Sequence, residues 1–168
     1  TNPATGLRVT ADDLSVIDWN DEGTAMLNDA LWADGARLGD ADYADITTRF
    51  VAASLEGWMY CRDNSADCVE IVLNNGSSLG ASHQAWQMNE INGLIWPSPD
   101  GAGVMDEGLW AQTIDVATSQ GILASVPDSG AYTTEYAEAA VEMLKNRGVD
   151  TTGKNWRRVD VTLNAGGE

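Results

Sequence analysis

Basic residues are scarce in this chain. Nine Lys and Arg face 26 Asp and Glu across 168 residues, for a formal net charge of −17. Only Lys145 and Lys154 are lysines. A chain this acidic repels polyanions, which excludes DNA, RNA and anionic membrane surfaces as partners. Long apolar runs are missing as well. Stretches such as Ile71-Val72-Leu73 are short and flanked by polar groups, far below the ~18–20 residues needed to cross a bilayer. Histidine occurs once, as His83, and cysteine twice, as Cys61 and Cys68, with no CxxC. A zinc site is therefore not expected. The first residue is Thr1, and no basic-then-apolar leader precedes the body of the chain. A processed mature end and the edge of a fragment both fit that start.

What is present suits a folded domain. Hydrophobic residues make up 43% of the chain and the charges are dispersed among them, unlike an acidic disordered tail. The length suits one domain with a workable core.

The first forty residues read as extended. Leu14 to Trp19 alternates and is β-branched, which predicts a short strand. Asn20-Asp21-Glu22-Gly23 follows as a turn, and Thr24–Ala33 fits a strand or a short helix, with a second strand favoured. From residue 41 the period becomes helical. Ile46, Phe50, Val51, Leu55, Trp58 and Met59 form a first stripe. Asn64 caps a second helix that carries Cys68, Val69, Val72 and Leu73 and ends at Asn75-Gly76. Ser82 starts a third helix, stopped by Trp96-Pro97-Ser98-Pro99. Asp106 caps a fourth helix, with Leu109, Trp110, Thr113, Ile114 and Ala117 inward and Gly121 closing it. Thr133 or Thr134 caps a fifth that ends at Gly148, and Val159–Leu163 alternates as a last strand. The pattern is a helix-rich α/β chain. Its two or three short strands do not make a stable open sheet by themselves, so sheet partners are expected from outside it.

No nucleophile elbow, P-loop, dinucleotide fingerprint or zincin motif is present. His83 reads as a helix-start residue with no indicated catalytic partner, and Asn75–Gly80 as a turn. The acidic cluster Asp18, Asp21, Glu22 and Asp29 lies where a strand meets a turn, a common place for sites. It is either a solvated loop or a wall that accepts hydrogen bonds from an amino-bearing ligand; its spacing does not match an EF-hand. Trp58, Trp86 and Trp110 fall on helical stripes and are expected in the core, while Trp19 and Trp32 flank the acidic turn. Cys61 and Cys68 fit equally a pair of buried thiols and one disulfide across a helix corner.

Several strings taken together carry a resemblance. They are Gly57-Trp58-Met59-Tyr60-Cys61-Arg62-Asp63-Asn64, Asp67-Cys68-Val69, His83-Gln84-Ala85-Trp86-Gln87-Met88-Asn89-Glu90-Ile91-Asn92, and Leu94-Ile95-Trp96-Pro97-Ser98-Pro99-Asp100-Gly101. With Ile17–Gly23 and Asn28–Ala33, the chain resembles the carboxyl-terminal part of bacterial ABC-importer solute-binding proteins. The branch is the one related to thiamine pyrimidine precursor binding. The resemblance implies the helix-rich α/β carboxyl-terminal portion of a two-lobed type II periplasmic binding protein, with the amino-terminal half absent. Residues 1–33 would end the second lobe and cross back. Residues 34–168 would form the helical closing part of the first lobe, with a short terminal strand.

The same resemblance implies a periplasmic or extracytoplasmic location and favours a Cys61–Cys68 disulfide. It implies partnership with an ABC permease and with the missing half, and capture of a small heteroaromatic solute. Riboflavin and sulfonate-like solutes belong to neighbouring branches. Carried over by position, the ligand wall is Asn20, Asp21, Glu22, Asn28 and Asp29 with Trp19 and Trp32, and Trp96-Pro97-Ser98 is a packing signature. No cofactor, metal or catalytic step is implied. A pyrimidine-synthase-like enzyme is an alternative that would need a reactive lysine and histidine in the cleft, and a fragment that binds nothing is the other.

Overall fold

A computed structural model describes residues 5–7, 10–76 and 78–168. The elements are five α-helices: α1 (Ala41–Asp63), α2 (Ser65–Asn75), α3 (Ala81–Ile95), α4 (Glu107–Ser119) and α5 (Glu135–Asn146). Two 3₁₀ turns, Ala11–Asp13 and Ala165–Gly167, complete them. Among the described residues there is no strand and no sheet. Two compact units divide the chain. Unit 1 comprises the described part of residues 1–29 together with 105–131, and unit 2 comprises residues 30–104 and 132–168.

The five helices follow the apolar periodicity of the sequence, and the starts of α1 and α4 are closed by side-chain caps. Asp40 accepts from the Asp42 and Tyr43 amides at the head of α1, and Asp106 accepts from the Leu109 amide at the head of α4. Ser82 does not cap α3. Gly80 takes that position, and the Ser82 hydroxyl accepts instead from the Asn164 amide. Asn64 precedes α2, but its side chain turns back to donate to the Tyr60 carbonyl.

The α/β expectation is overturned: all regular elements among the described residues are helical, and none of the three expected strands forms. Alternating side chains predict which faces a strand would present, but a strand exists only when its main chain is paired. Along Leu14–Ile17 no backbone hydrogen bond is formed within the described residues. Leu14, Val16 and Ile17 all lie exposed, Val16 at 81%. In the 24–33 stretch two of the main-chain groups are met by α4 side chains. The Leu27 amide donates to Thr113 Oγ1 at 2.9 Å, and the Ala25 carbonyl accepts from Gln112 Nε2 at 2.7 Å. In the carboxyl-terminal segment, Val159 exchanges two hydrogen bonds with the side chain of Asn89 on α3. Helix side chains have taken the place of ladder partners, and the short terminal strand dissolves into that arrangement.

In unit 2 the core lies between α1 and α5. Val51, Ala52, Leu55 and Met59 of α1 pack against Ala140, Val141 and Leu144 of α5, and Trp96 and Ala102 complete the cluster. Alanines at 52 and 140 let the two helices approach closely. Gly101 adopts φ +110°, and a Cβ there would sit 2.8 Å from the Val141 methyl groups, so a glycine is needed on both counts. Arg147 and Glu56 tie the two helices on the outside through a bidentate pair at 2.6 and 2.8 Å.

Arg62 is a buried hub, its side chain 3% exposed. Its guanidinium donates twice to Asp63 and once to the Asp150 carbonyl at 2.8 Å. It also stacks 4.6 Å from the centroid of the Trp96 ring. Gly153, at φ +58°, leaves room for this stack, because a Cβ there would lie 2.7 Å from Trp96. Trp96 is buried and its indole N–H donates to Asn92 Oδ1, so the packing role expected around Trp96 agrees with its placement. Trp58 and Trp86, expected in the core, are instead partly exposed.

Cys61 and Cys68 form a disulfide across the α1–α2 corner, which settles the alternative the residues alone left open. Cys68 is the only buried side chain of α2, so the bond is the main tie of that helix at its amino-terminal end. Seven residues separate the two cysteines, and closing so short a loop contributes about 2–3 kcal/mol through the unfolded state. Reduction, or a double Cys61→Ala and Cys68→Ala variant, is expected to lower the urea midpoint accordingly. Amide exchange in α2 should accelerate first, ahead of α1 and α5. Equal exchange rates with and without reductant would contradict this.

Candidate functional site

Unit 1 holds the acidic turn and its support. Asp18 organises the turn: its Oδ1 accepts from both the backbone and the side-chain nitrogen of Asn20, at 2.8 and 3.0 Å. The Asn20 amide is the largest cause that holds the Asp18 carboxyl below its usual pKa, with the Asn20 side chain second. The Glu22 amide donates to the Asp18 carbonyl, the Gly23 amide to Asn20, and the Thr24 and Ala25 amides both to the Trp19 carbonyl. Gly23 at φ +68° closes the turn. Trp19, Asn20, Asp21 and Glu22 lie exposed on it. Asn28 and Asp29 are exposed further along, Asp29 in the left-handed region at φ +42°, a conformation aspartate tolerates better than most side chains.

The turn is therefore a fixed platform. Gln112 and Thr113 bind its continuation through main-chain atoms of residues 25 and 27, and leave the carboxylates of Asp21, Glu22 and Asp29 directed to solvent. The structure brings Trp19, Asn20, Asp21 and Glu22 into one turn. Trp32 belongs to unit 2 and is 89% exposed. None of the expected wall residues lines either of the two cavities described below.

A cavity of unit 1 lies along α4. It measures about 350 Å³ and is lined by Trp110, Ala111, Ile114 and Asp115 of the helix, with Val126 and Pro127 opposite. Trp110 and Ile114 are one turn apart, as are Ala111 and Asp115, so the four form a continuous patch. Gln112 and Thr113 project from the other side of the same helix toward residues 25–27. One helix thus holds the acidic segment on one side and a cavity on the other. The periodicity marks Trp110 and Ile114 as an apolar stripe. Asp115 carries no local signal, and Val126-Pro127 falls in a loop without a motif.

Unit 2 has a smaller groove of about 210 Å³, where Trp58, Val69, Val72, Met88 and Ile91 meet Gln84 and Gln87. It offers amides but no charge. His83 is packed beside Trp86, with ring centroids 5.7 Å apart. Among the described residues no group of three or more His, Cys, Asp and Glu is placed to hold a metal ion. No helix among them is long and apolar enough to cross a membrane. No protein family, curated protein or solved structure matches the chain.

Proposed function

We propose that the chain belongs to the extracytoplasmic solute-binding component of an ABC importer, and that it takes part in capturing a small heteroaromatic such as a thiamine pyrimidine precursor. The observation that carries the reading is the acidic platform. Its main chain is pinned by Asp18, Gln112 and Thr113, while its carboxylates face solvent. Carboxylates held this way accept hydrogen bonds from amino groups and repel anions. The Cys61–Cys68 bond supports an oxidising compartment. The net charge of −17 suits a surface that meets small solutes and a permease instead of nucleic acid. The reading assigns reversible capture by closure of the site around the solute, followed by delivery to the permease and to no chemical step. The remainder of the binding wall would come from polypeptide outside this sequence.

Thermal unfolding tests it. An aminopyrimidine at about a hundredfold excess over its Kd stabilises by about 2.7 kcal/mol, which corresponds to a rise in Tm of about 5–10 °C for a chain of this size. Sulfonates are expected to give no rise. Equal indifference to aminopyrimidines, flavins and sulfonates would overturn the reading.

A further inference from the structure

We infer that Asn75-Gly76, at the carboxyl end of α2, is a site of spontaneous covalent modification: the Asn75 side chain loses ammonia through a cyclic imide and becomes a carboxylate, while the same dipeptide at Asn92-Gly93 is kept intact by the fold.

The chain contains Asn-Gly twice, at 75–76 and at 92–93. The chemistry open to both pairs is the same. The main-chain nitrogen of the glycine gives its proton to hydroxide and attacks Cγ of the asparagine. A bond forms between that nitrogen and Cγ, the Cγ–Nδ2 bond breaks, and Nδ2 leaves as ammonia. Water then adds to one of the two imide carbonyls. Opening at Cγ leaves aspartate. Opening at the main-chain carbonyl leaves isoaspartate, with the chain rerouted through the side chain. Nothing is oxidised or reduced; water enters and ammonia leaves. Glycine favours the step, because without a Cβ its nitrogen is easily approached and its backbone turns freely into the ring geometry.

The surroundings decide which pair reacts. Asn75 is the last residue of α2 and is exposed. Gly76 has already left the helix, at φ −133° and ψ 83°. Its amide, the group that must lose a proton, donates to the Leu73 carbonyl at 3.3 Å, longer than the roughly 2.7–3.2 Å of an ordinary bond. The Asn75 side chain is held by a hydrogen bond from Nδ2 to the Ile71 carbonyl at 2.8 Å, at an exposed position where water can replace it.

Asn92 has the opposite setting. It lies inside α3 and is 1% exposed. Its carbonyl accepts from the Trp96 amide at 2.9 Å, and its Oδ1 from the Trp96 indole N–H at 3.1 Å. Gly93 is helical too and is covered by Arg158, since a Cβ there would stand 2.5 Å from the guanidinium Nε. Closing the imide would require both residues to leave helical dihedrals and Trp96 to give up its buried acceptor.

The product alters α2. Loss of Nδ2 removes the donor that meets the Ile71 carbonyl near the helix end, where carbonyls lack intrahelical partners. A carboxylate takes its place at the negative end of the helix dipole, where it is repelled. Little opposes fraying there, because Cys68 is the only buried side chain of α2 and its disulfide holds the other end. Val72 lines the groove with Trp58, Met88 and Ile91, so the modification loosens one wall of that groove.

The test is incubation of the whole chain in mildly alkaline buffer, folded and in concentrated urea, followed by proteolysis and peptide mass analysis. Conversion is read as the mass change from amide to acid and as splitting into aspartyl and isoaspartyl peptides. Isomerisation at Asp34-Gly35 or Asp100-Gly101 changes no mass and is not counted. In the folded chain the Asn75 peptide should convert at least about tenfold faster than the Asn92 peptide, which only unfolding of α3 releases. In urea the two rates should converge. Gly76→Ala, whose added Cβ restricts the backbone, should slow conversion of Asn75 about tenfold, and Asn75→Gln should stop it on the same timescale. Equal rates at the two pairs in the folded chain would overturn the assignment. So would an Asn75 peptide that converts in urea but stays intact in the folded chain. Asn75→Asp stands in for the linear product and should speed amide exchange at residues 72–74 about two- to fivefold; unchanged exchange there would overturn the loosening of α2.

Discussion

Replacing Leu144 by alanine is expected to destabilise unit 2 by about 3–4 kcal/mol. Leu144 is 0% exposed and sits where α5 meets the α1 face formed by Val51, Leu55 and Met59. Truncation removes its transfer energy and leaves a cavity that the neighbours fill only in part. They cannot relax freely, because Ala52 and Ala140 already hold the helices close and Arg147–Glu56 ties them outside. Since whole domains are stable by only about 5–15 kcal/mol, this one change removes a large fraction. Urea unfolding should show a lower midpoint at unchanged slope. Leu94→Ala, at a highly exposed position of α3, is the internal comparison and should stay within about 0.5 kcal/mol. Similar costs for the two substitutions would mean that the α1–α5 contact is not the core.

Arg62→Ala should cost about 3 kcal/mol, composed differently. The Asp150 carbonyl loses its donor, a loss of about 1–3 kcal/mol for a group left unpaired in a poorly solvated place. The Trp96 face loses its cation, worth about 0.5–2 kcal/mol, and the aliphatic stem leaves a void. The carboxylates of Asp63 and Asp150 are each more than half exposed, so water rehydrates them and no buried charge is stranded. That keeps the cost below what loss of one partner in a fully buried pair would bring. Arg62→Lys retains a charge but not the planar fork, and should recover less than half of the loss.

Acid behaviour gives a second readout of the same corner. The Asp150 carboxyl is held below its usual pKa, first by the Thr152 amide, then by the Thr152 hydroxyl and the Gly153 amide, with Arg62 contributing least. Its stabilising contribution is therefore complete above the unfolded value of about 3.9, and is lost as pH falls through the lower folded value. Chevron-free equilibrium titrations of Arg62→Ala should show the acid limb nearly unmoved, because the amides that dominate the shift remain.

The helices were legible because their signals are local. Apolar residues recur at i+3 and i+4, and Asp106 announces the start of α4 by its own chemistry. The strands were misread for a related reason. Alternation along Leu14–Trp19 and Val159–Leu163 describes side chains, whereas strand formation depends on a second main chain that no local pattern reveals. Here Asn89, Gln112 and Thr113 supply side-chain partners at sequence distances of 70 to 87 residues. The Arg62 hub was hidden similarly. An arginine between a tyrosine-cysteine pair and an aspartate reads as a helix end, and its anchor at Asp150 lies 88 residues away. Trp96 could be anticipated as packing from its Trp-Pro setting, but Trp58 and Trp86 could not be placed, since an amphipathic stripe does not say how deeply each member sinks. In unit 1 the acidic turn was visible from composition. Its attachment to α4, and the cavity on the far side of that helix, required the tertiary structure.

The main chain of Leu14–Ile17, which makes no backbone hydrogen bond among the described residues, has a colloidal consequence. An exposed apolar segment whose amides and carbonyls are open to a partner strand is a template for a second copy of itself. What keeps copies apart is the net charge of −17 carried by every molecule. That repulsion reaches about 8 Å at physiological ionic strength and only about 3 Å in molar salt. Self-association of this chain is thus governed by the ionic medium, with dilute buffer guarding an edge that concentrated salt lays open.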